Sequence, residues 1–378
     1  MTAALFAWIF ASFLTPQNAG RPLAFDKNWD LRGPTISIVK DGSRDILEAE
    51  NGMCHRRDVQ LENGTIDFDV QLSRRRSFVY LYFRAADEGE REEIYLRPHK
   101  SGLPDALQYA PAWQDRSQWQ LHHGPGGTAA VGFEPGAWTH VRLVMQGRQA
   151  AVFVNDMTTP AMLVPNMARD PRPGYIAVGG FVPPGSPGEG PAARFANVTI
   201  RPDVVTFDFK AALAKAAAAA PAEPIEGIIR SWQVSRSFVA TEGGTPAIPA
   251  ADVLGDMRRL ETEPTGLLEL HRHVKVPAQG DATVVARLRV RATQAGVYAL
   301  DLGFSDIATV FVNGRTIFRG DASYSFDRPR RDGLIGFDQA RLYLPLDAGD
   351  NDLAILLSDS FGGWGLMGRF VNASGLSW

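Results

Sequence analysis

The chain has 378 residues, 45% hydrophobic and 21% charged, with a net charge of −3. This is ordinary globular composition for about two domains, and the slight acidity argues against nucleic acid as a partner. The single cysteine, Cys54, excludes an intramolecular disulfide framework and a thiolate zinc site, and it reads as a small buried apolar residue.

The chain opens "MTAALFAWIFASFLTPQNAG". Residues 3–14 are apolar over the length of a signal-peptide core, and Pro16 and small residues follow. The run is too short to span a bilayer as a helix. The basic leading segment of a secretory signal is missing, but an export signal over 1–20 is still the expectation. The protein is then expected to be secreted or periplasmic. No other segment approaches a membrane span.

From residue 25 to 202 strand signals follow one another almost without a break. "GTIDFDVQL" alternates Ile66, Phe68 and Val70 against Asp67 and Asp69. "SFVYLYFRA" alternates Val79, Leu81 and Phe83 against Tyr80, Tyr82 and Arg84. "EEIYLRPH" sets Ile94 and Leu96 against Glu93, Tyr95, Arg97 and His99. "WTHVRLVMQGRQAAVFVND" is two strands around a Gln146–Gly147–Arg148 turn. Short alternating runs between turn residues predict an antiparallel β-sandwich.

Residues 203–227 differ. "KAALAKAAAAAPAEP" is helix-favouring and stopped by proline, and predicts a short helix in an Ala/Pro-rich linker. From 228 to 378 strand signals resume. "FVNGRTIF" puts Asn313–Gly314 between two apolar runs, a strong hairpin signal. The fold class predicted for the whole chain is therefore all-β: two β-sandwich (jelly-roll) domains joined by the linker.

Chemistry concentrates in the first domain. If the three runs named above are neighbours, their non-core residues make one polar-aromatic patch three strands wide. Aromatic rings offer platforms for the C–H faces of sugars, and carboxylates and guanidinium groups fix hydroxyls. The candidate ligand contacts are Tyr80, Tyr82, Arg84, Tyr95, Arg97 and His99. The plainer alternative is a solvated face with cross-strand charge pairs such as Glu93 with Arg84. Residues 101–124 read as a long, mostly irregular loop, adding Tyr109, Trp113, Trp119 and His123 to the candidates. Its alternative is a loop that packs its Trp residues over the sandwich edge.

Catalytic templates are absent: no nucleophile elbow, phosphate loop, dinucleotide fingerprint or His-Glu-x-x-His helix occurs. Glycoside hydrolysis needs two carboxylates within about 5–10 Å, and Glu93 with Asp67 or Asp69 is the pair the patch allows. No cofactor is expected. His99, His122 and His123 lack metal-site spacing, and His271 and His273 are expected on one strand face. A structural calcium ion at "DAGDND" (Asp347, Asp350, Asn351, Asp352) has suitable oxygens, but the same letters make a plain turn.

"GTIDFDV", "FVYLYFR", "IYLRPHKSGLPDALQY" and "GAWTHVRLVMQGRQAAVFVND" together resemble the concanavalin-like (laminin-G-like) sandwiches, and within them the 3-keto-disaccharide hydrolase-like branch. No catalytic motif of that branch is found here. "VFVNGRTIFRG", "LYLPLDAGDNDLAILLSD" and "FGGWGLMGRF" resemble the galactose-binding-like jelly roll, in which loops at one end carry ligands. That resemblance points to the loop 319–333, with Tyr324, Arg328, Arg330 and Arg331, and to Trp364 as core. It implies a carbohydrate ligand. Three functions stay open: glycan binding, glycan hydrolysis by the carboxylates of the patch, and an adhesion or protein-interaction role.

Overall fold

The structure, a computed structural model, describes residues 20–219, 225–240, 246–325 and 332–378. The expected export signal, apart from Gly20, lies outside the described residues, as do Arg328, Arg330 and Arg331. No helix among the described residues is long and apolar enough to cross a membrane. The described residues divide into two units: 20–111 with 123–219, and 112–122 with 225–378.

Strands β1 (Asp30–Asp41), β2 (Arg44–Arg56), β3 (Gly64–Leu72), β4 (Phe78–Ala85), β5 (Arg91–Leu96) and β6 (Leu107–Trp113) begin the fold. Next come β7 (Arg116–Ser117), β8 (Thr128–Ala129), β9 (Trp138–Gln146) and β10 (Gln149–Val154). The series ends with β11 (Met162–Val164), β12 (Tyr175–Phe181) and β13 (Ala193–Pro202). They form one sheet in the order β11-β10-β9-β3-β13-β2-β12-β4-β5-β6-β7, with β1 added to β2 and β8 to β6.

The alternation read from the sequence explains the core. Phe68 and Val70 of β3, Leu81 and Phe83 of β4, Ile94 of β5 and Leu143 of β9 meet in one buried cluster, so the sheet curls round on itself. Each such side chain contributes roughly 1.5–3 kcal/mol by leaving water. Cys54 lies in the same cluster, and burial pushes its thiol up to about 12. The Ala-rich segment forms helix α1 (Phe209–Ala219). Phe209 anchors it, buried with Val144, Ala151 and Phe153.

The second unit contains β14 (Ser231–Val234), β15 (Phe238–Val239), β16 (Arg258–Glu261), β17 (Leu268–Glu269), β18 (Ala282–Ala292) and β19 (Gly296–Ser305). It continues with β20 (Ile307–Val312), β21 (Arg315–Asp321), β22 (Ala340–Leu346), β23 (Gly349–Ser358), β24 (Gly365–Phe370) and β25 (Leu376–Ser377). One sheet runs β16-β14-β18-β23-β20-β21, with β15 and β25 also on β18, and the other runs β17-β24-β19-β22. Apolar faces of both sheets share a core around Trp232 and Trp364, so Trp364 packs as expected. Asn313 and Gly314, both at positive φ, close the β20–β21 hairpin, the turn conformation that two-residue hairpins favour.

Two expectations are corrected here. Residues 101–124 lie mostly outside strands, as expected, although β6 takes Leu107–Trp113 and β7 takes Arg116–Ser117. The middle of that stretch, 112–122, belongs to the second unit, where Leu121 packs with Leu267, Ile335 and Met367. His271 and His273 do not share a strand face, because a 3₁₀ turn over Leu270–Arg272 breaks the alternation. His271 is buried there, 3.1 Å from Asp359 Oδ2.

Candidate functional site: an aromatic groove on the first unit

Sheet order decides which predicted residues can meet. β4 and β5 are neighbours, and register sets Tyr80 opposite Tyr95 and Tyr82 opposite Glu93. On the other side of β4 lie β12 and then β2. Because Leu81, Ile94, Val178 and Cys54 point into the core, residues of opposite parity on these four strands share the outer face.

A groove of about 590 Å³ runs over that face. Tyr80 and Tyr82 line it on β4, Gly180 and Phe181 on β12, Gly52 and Met53 on β2, and Gly33 and Pro34 on β1. Both tyrosines are half-buried, and Phe181 is exposed. The floor is low because glycine is required there. A Cβ on Gly179 would stand 2.2 Å from the Gly52 carbonyl oxygen and 2.5 Å from the Met53 sulfur. Strand glycines mark such close backbone approaches.

Tyr80 packs against Tyr82 and Tyr95, with ring centroids 5.6 and 5.4 Å away. Burial, and then the neighbouring Tyr82 and Glu93, hold the Tyr80 phenol well above its usual pKa. Beside the groove, on β5, lies a buried polar layer. Arg91 donates from Nε and Nη2 to Glu93 Oε2 at 3.0 and 2.9 Å, and its guanidinium lies 4.0 Å from the Tyr82 ring centroid. Burial alone would lower the Arg91 pKa, but Glu93 raises it above normal. Tyr95 donates to Gln108 Oε1 at 2.7 Å, while Arg97 donates to the Tyr95 hydroxyl at 2.6 Å and to Asp105 at 2.6 Å.

The structure therefore brings Tyr80, Tyr82, Tyr95 and Arg97 together but gives them different places. Tyr80 and Tyr82 line the groove. Glu93, Tyr95 and Arg97 point away from the core as the alternation predicts, yet all three are buried, so they flank the tyrosines from the neighbouring strand. His99 stands at the margin, edge-on to Phe78 at 5.3 Å, with Nδ1 3.1 Å from the Ser77 carbonyl oxygen. Burial, then Arg76, lowers its pKa to about 4.

Other candidates lie elsewhere. Arg84 leaves the face because β4 carries an extra residue opposite β12. It sits at φ 47°, buried, and donates to the carbonyls of Glu62 and Gly147. Tyr109 is a core residue on β6, and its hydroxyl donates to buried Glu92 and accepts from the Ala168 amide. Asp67 and Asp69 do not join Glu93, because β13, β2 and β12 lie between β3 and β4. Asp67 accepts from Arg142 and Arg201, each at 2.6 Å, and Asp69 from Asn197 at 2.6 Å, with His140 Nδ1 also 2.6 Å away. The carboxylate pair that a glycosidase needs is not assembled from these residues.

His123 remains in the first unit, whereas Trp113 and Trp119 fall in the second. There Arg272 lies 5.7 Å from the Trp113 ring centroid, and Trp119 meets Tyr324 edge-on at 5.4 Å. Among the described residues no group of three or more His, Cys, Asp or Glu is placed to hold a metal. In "DAGDND", Asp350 pairs with Arg291 and Asn351 bonds the turn backbone, as a plain turn would.

Sequence reasoning missed the groove's other wall: Gly33, Pro34, Gly52, Met53 and Phe181. The Gly179–Gly180 pair inside "YIAVGGF" was the available signal, since glycines within a strand run point to close approach. His55 was also missed. It lies on β2, buried against Tyr175 with ring centroids 5.6 Å apart, and burial followed by Arg57 lowers its pKa to about 4.

Fold and groove together define an all-β sandwich protein with an aromatic-walled trough on one sheet. No family model matches the chain, and no curated protein matches it in sequence. Solved structures do match. The carbohydrate-binding module CBM66 from Bacillus subtilis is 11% identical at a TM-score of 0.34, covering 47% of this chain and 98% of that one. The Bacillus licheniformis beta-glucanase is 11% identical at 0.36, covering 48% and 96%. The Bacteroides ovatus mixed linkage glucan PUL GH16 is 12% identical at 0.35, covering 48% and 98%. At these scores no conclusion about ligand or activity follows.

Proposed function

We propose that the protein is an exported carbohydrate-binding protein and that the β2-β12-β4 groove of the first unit holds the glycan. The observation that carries the reading is the pair Tyr80 and Tyr82, presented half-buried along an open trough floored by glycine. Such rings stack on the apolar faces of pyranoses, and a trough open at the surface admits an extended chain. The sealed layer of Arg91, Glu93, Tyr95, Arg97 and Gln108 sets the ring positions in advance, which lowers the ordering cost of binding. We read the first unit as a concanavalin-like sandwich and the second as a galactose-binding-like jelly roll. Two antiparallel sheets packed face to face and the Asn313–Gly314 hairpin support the latter. The apolar run 3–14 supports export.

The test is a glycan-array screen and affinity electrophoresis with wild type, Tyr80→Ala and Tyr82→Ala. A glycan signal that falls at least about tenfold in both variants, equivalent to about 1.4 kcal/mol, supports the groove. Signals equal in all three proteins, or no signal on any glycan, would sink it.

A further inference from the structure

On the second unit's four-stranded sheet a charged row stands beside an apolar step. Leu300 and Leu302 of β19, Leu342 and Leu344 of β22 and Phe370 of β24 face the core. The residues between them point outward. Register places Asp301 opposite Arg341 on one neighbouring strand and Arg369 on the other. The Asp301 carboxylate is only 2% exposed. It accepts four bonds: from Arg341 Nε and Nη2 at 2.6 and 3.1 Å, and from Arg369 Nε and Nη2 at 3.0 and 2.9 Å.

One guanidinium would neutralise this carboxylate, and it has two. The exposed Asp338 lines the same cavity and restores balance, so two arginines and two aspartates share it. These four residues and Phe337 line a cavity of about 540 Å³, within the range of small-ligand sites. One rung along the sheet, Ala299 pairs with Tyr343 and its carbonyl accepts from the Val371 amide. Tyr343 is 64% exposed and Val371 45%. A broad aromatic ring thus lies open to water beside two guanidinium groups held rigid by a buried acid.

We propose that this face is a second carbohydrate site, for a neutral oligosaccharide, with a pyranose ring on Tyr343 and its neighbour's hydroxyls between Arg341, Arg369 and Asp338. Charge selects the class. The row carries no net charge, so it does not select an anion, whereas hydroxyls can accept from the guanidinium groups and donate to Asp338. Asp301, saturated by the arginines, is a positioning residue. The proposal does not depend on the groove of the first unit.

The test uses the full chain carrying Tyr80→Ala and Tyr82→Ala, run through gels containing β-glucan, galactomannan or xylan, with polygalacturonate as the acidic comparison. Retardation is expected in at least one neutral gel. It should fall about tenfold when Tyr343→Ala or Asp338→Ala is added, while the melting temperature stays unchanged. These variants alter only exposed side chains, so loss through unfolding is separable by melting. Retardation by polygalacturonate alone, retardation that survives both substitutions, or none in any neutral gel would each overturn the proposal. Loss caused by the Tyr80 and Tyr82 changes alone concerns only the first-unit groove.

Discussion

Tyr80 and Tyr95 face each other across β4 and β5 with ring centroids 5.4 Å apart, yet Tyr80 lines the groove and Tyr95 does not. The difference lies in the hydroxyl. That of Tyr95 is held by Gln108 and Arg97 in the buried layer.

Tyr95→Phe is therefore expected to cost stability and not ligand contact. Removing the hydroxyl leaves part of the Gln108 and Arg97 hydrogen-bonding capacity unmet inside the protein, a loss of about 1–3 kcal/mol. Urea unfolding should show a lower midpoint, while binding to any glycan found for the wild type should change less than for Tyr80→Ala. Binding lost with unchanged stability would place Tyr95 in the groove after all.

Glu93 offers a sharper contrast. Glu93→Ala strands Arg91 as a buried cation, and breaking a buried pair from one side costs about 3–5 kcal/mol. Glu93→Gln keeps an acceptor for Arg91 and should cost less. Thermal melts of the two variants measure the gap, and equal melting temperatures would contradict the buried ion pair.

pH should act through the imidazoles of buried His55 and half-buried His99. His55 falls from an ordinary 6.5 to about 4 on folding, chiefly through burial, and His99 does likewise. Above pH 6.5 both are neutral in the folded and unfolded chain, so nothing is lost. Between 6.5 and 4 the unfolded chain binds protons that the folded chain refuses, and stability declines as pH falls. Urea unfolding of wild type and His55→Gln at pH 7.5, 6 and 5 should show a flatter pH dependence in the variant. Parallel curves would mean that His55 titrates normally.

The groove floor predicts a glycine effect. Gly179→Ala puts a Cβ 2.2 Å from a backbone oxygen, so β2 and β12 must shift. A loss of about 1–3 kcal/mol is expected. Gly132→Ala is the control, because nothing lies within 4 Å of its added Cβ. A Gly179→Ala protein that melts like the control would show that the strands separate easily.

Strands were legible wherever one face meets a core, as in Ile66, Phe68 and Val70, because burial imposes the period of two. The Asn313–Gly314 hairpin was legible because the turn needs residues that tolerate positive φ. Neighbourhood was not. β3 and β4 are successive in sequence yet have three strands between them in the sheet, since periodicity carries no information on distant pairing. Alternation placed Arg84 beside Tyr82, and one extra residue in β4 turned it away. Nor could alternation show that Glu93, Tyr95 and Arg97 would be sealed, because a buried polar layer and a wet one share the same letters.

The assignment of Ala112–His122 to the second unit bears on how this protein can be taken apart. Leu121 packs in that unit, Gln118 lies beside His271 in it, and Gln120 accepts from the Gly363 amide there. Along the chain the units are threaded first, second, first, second. A cut in the Ala/Pro-rich segment therefore yields no two complete pieces: the downstream fragment lacks a segment encoded some hundred residues upstream, and the upstream fragment carries it without its partners.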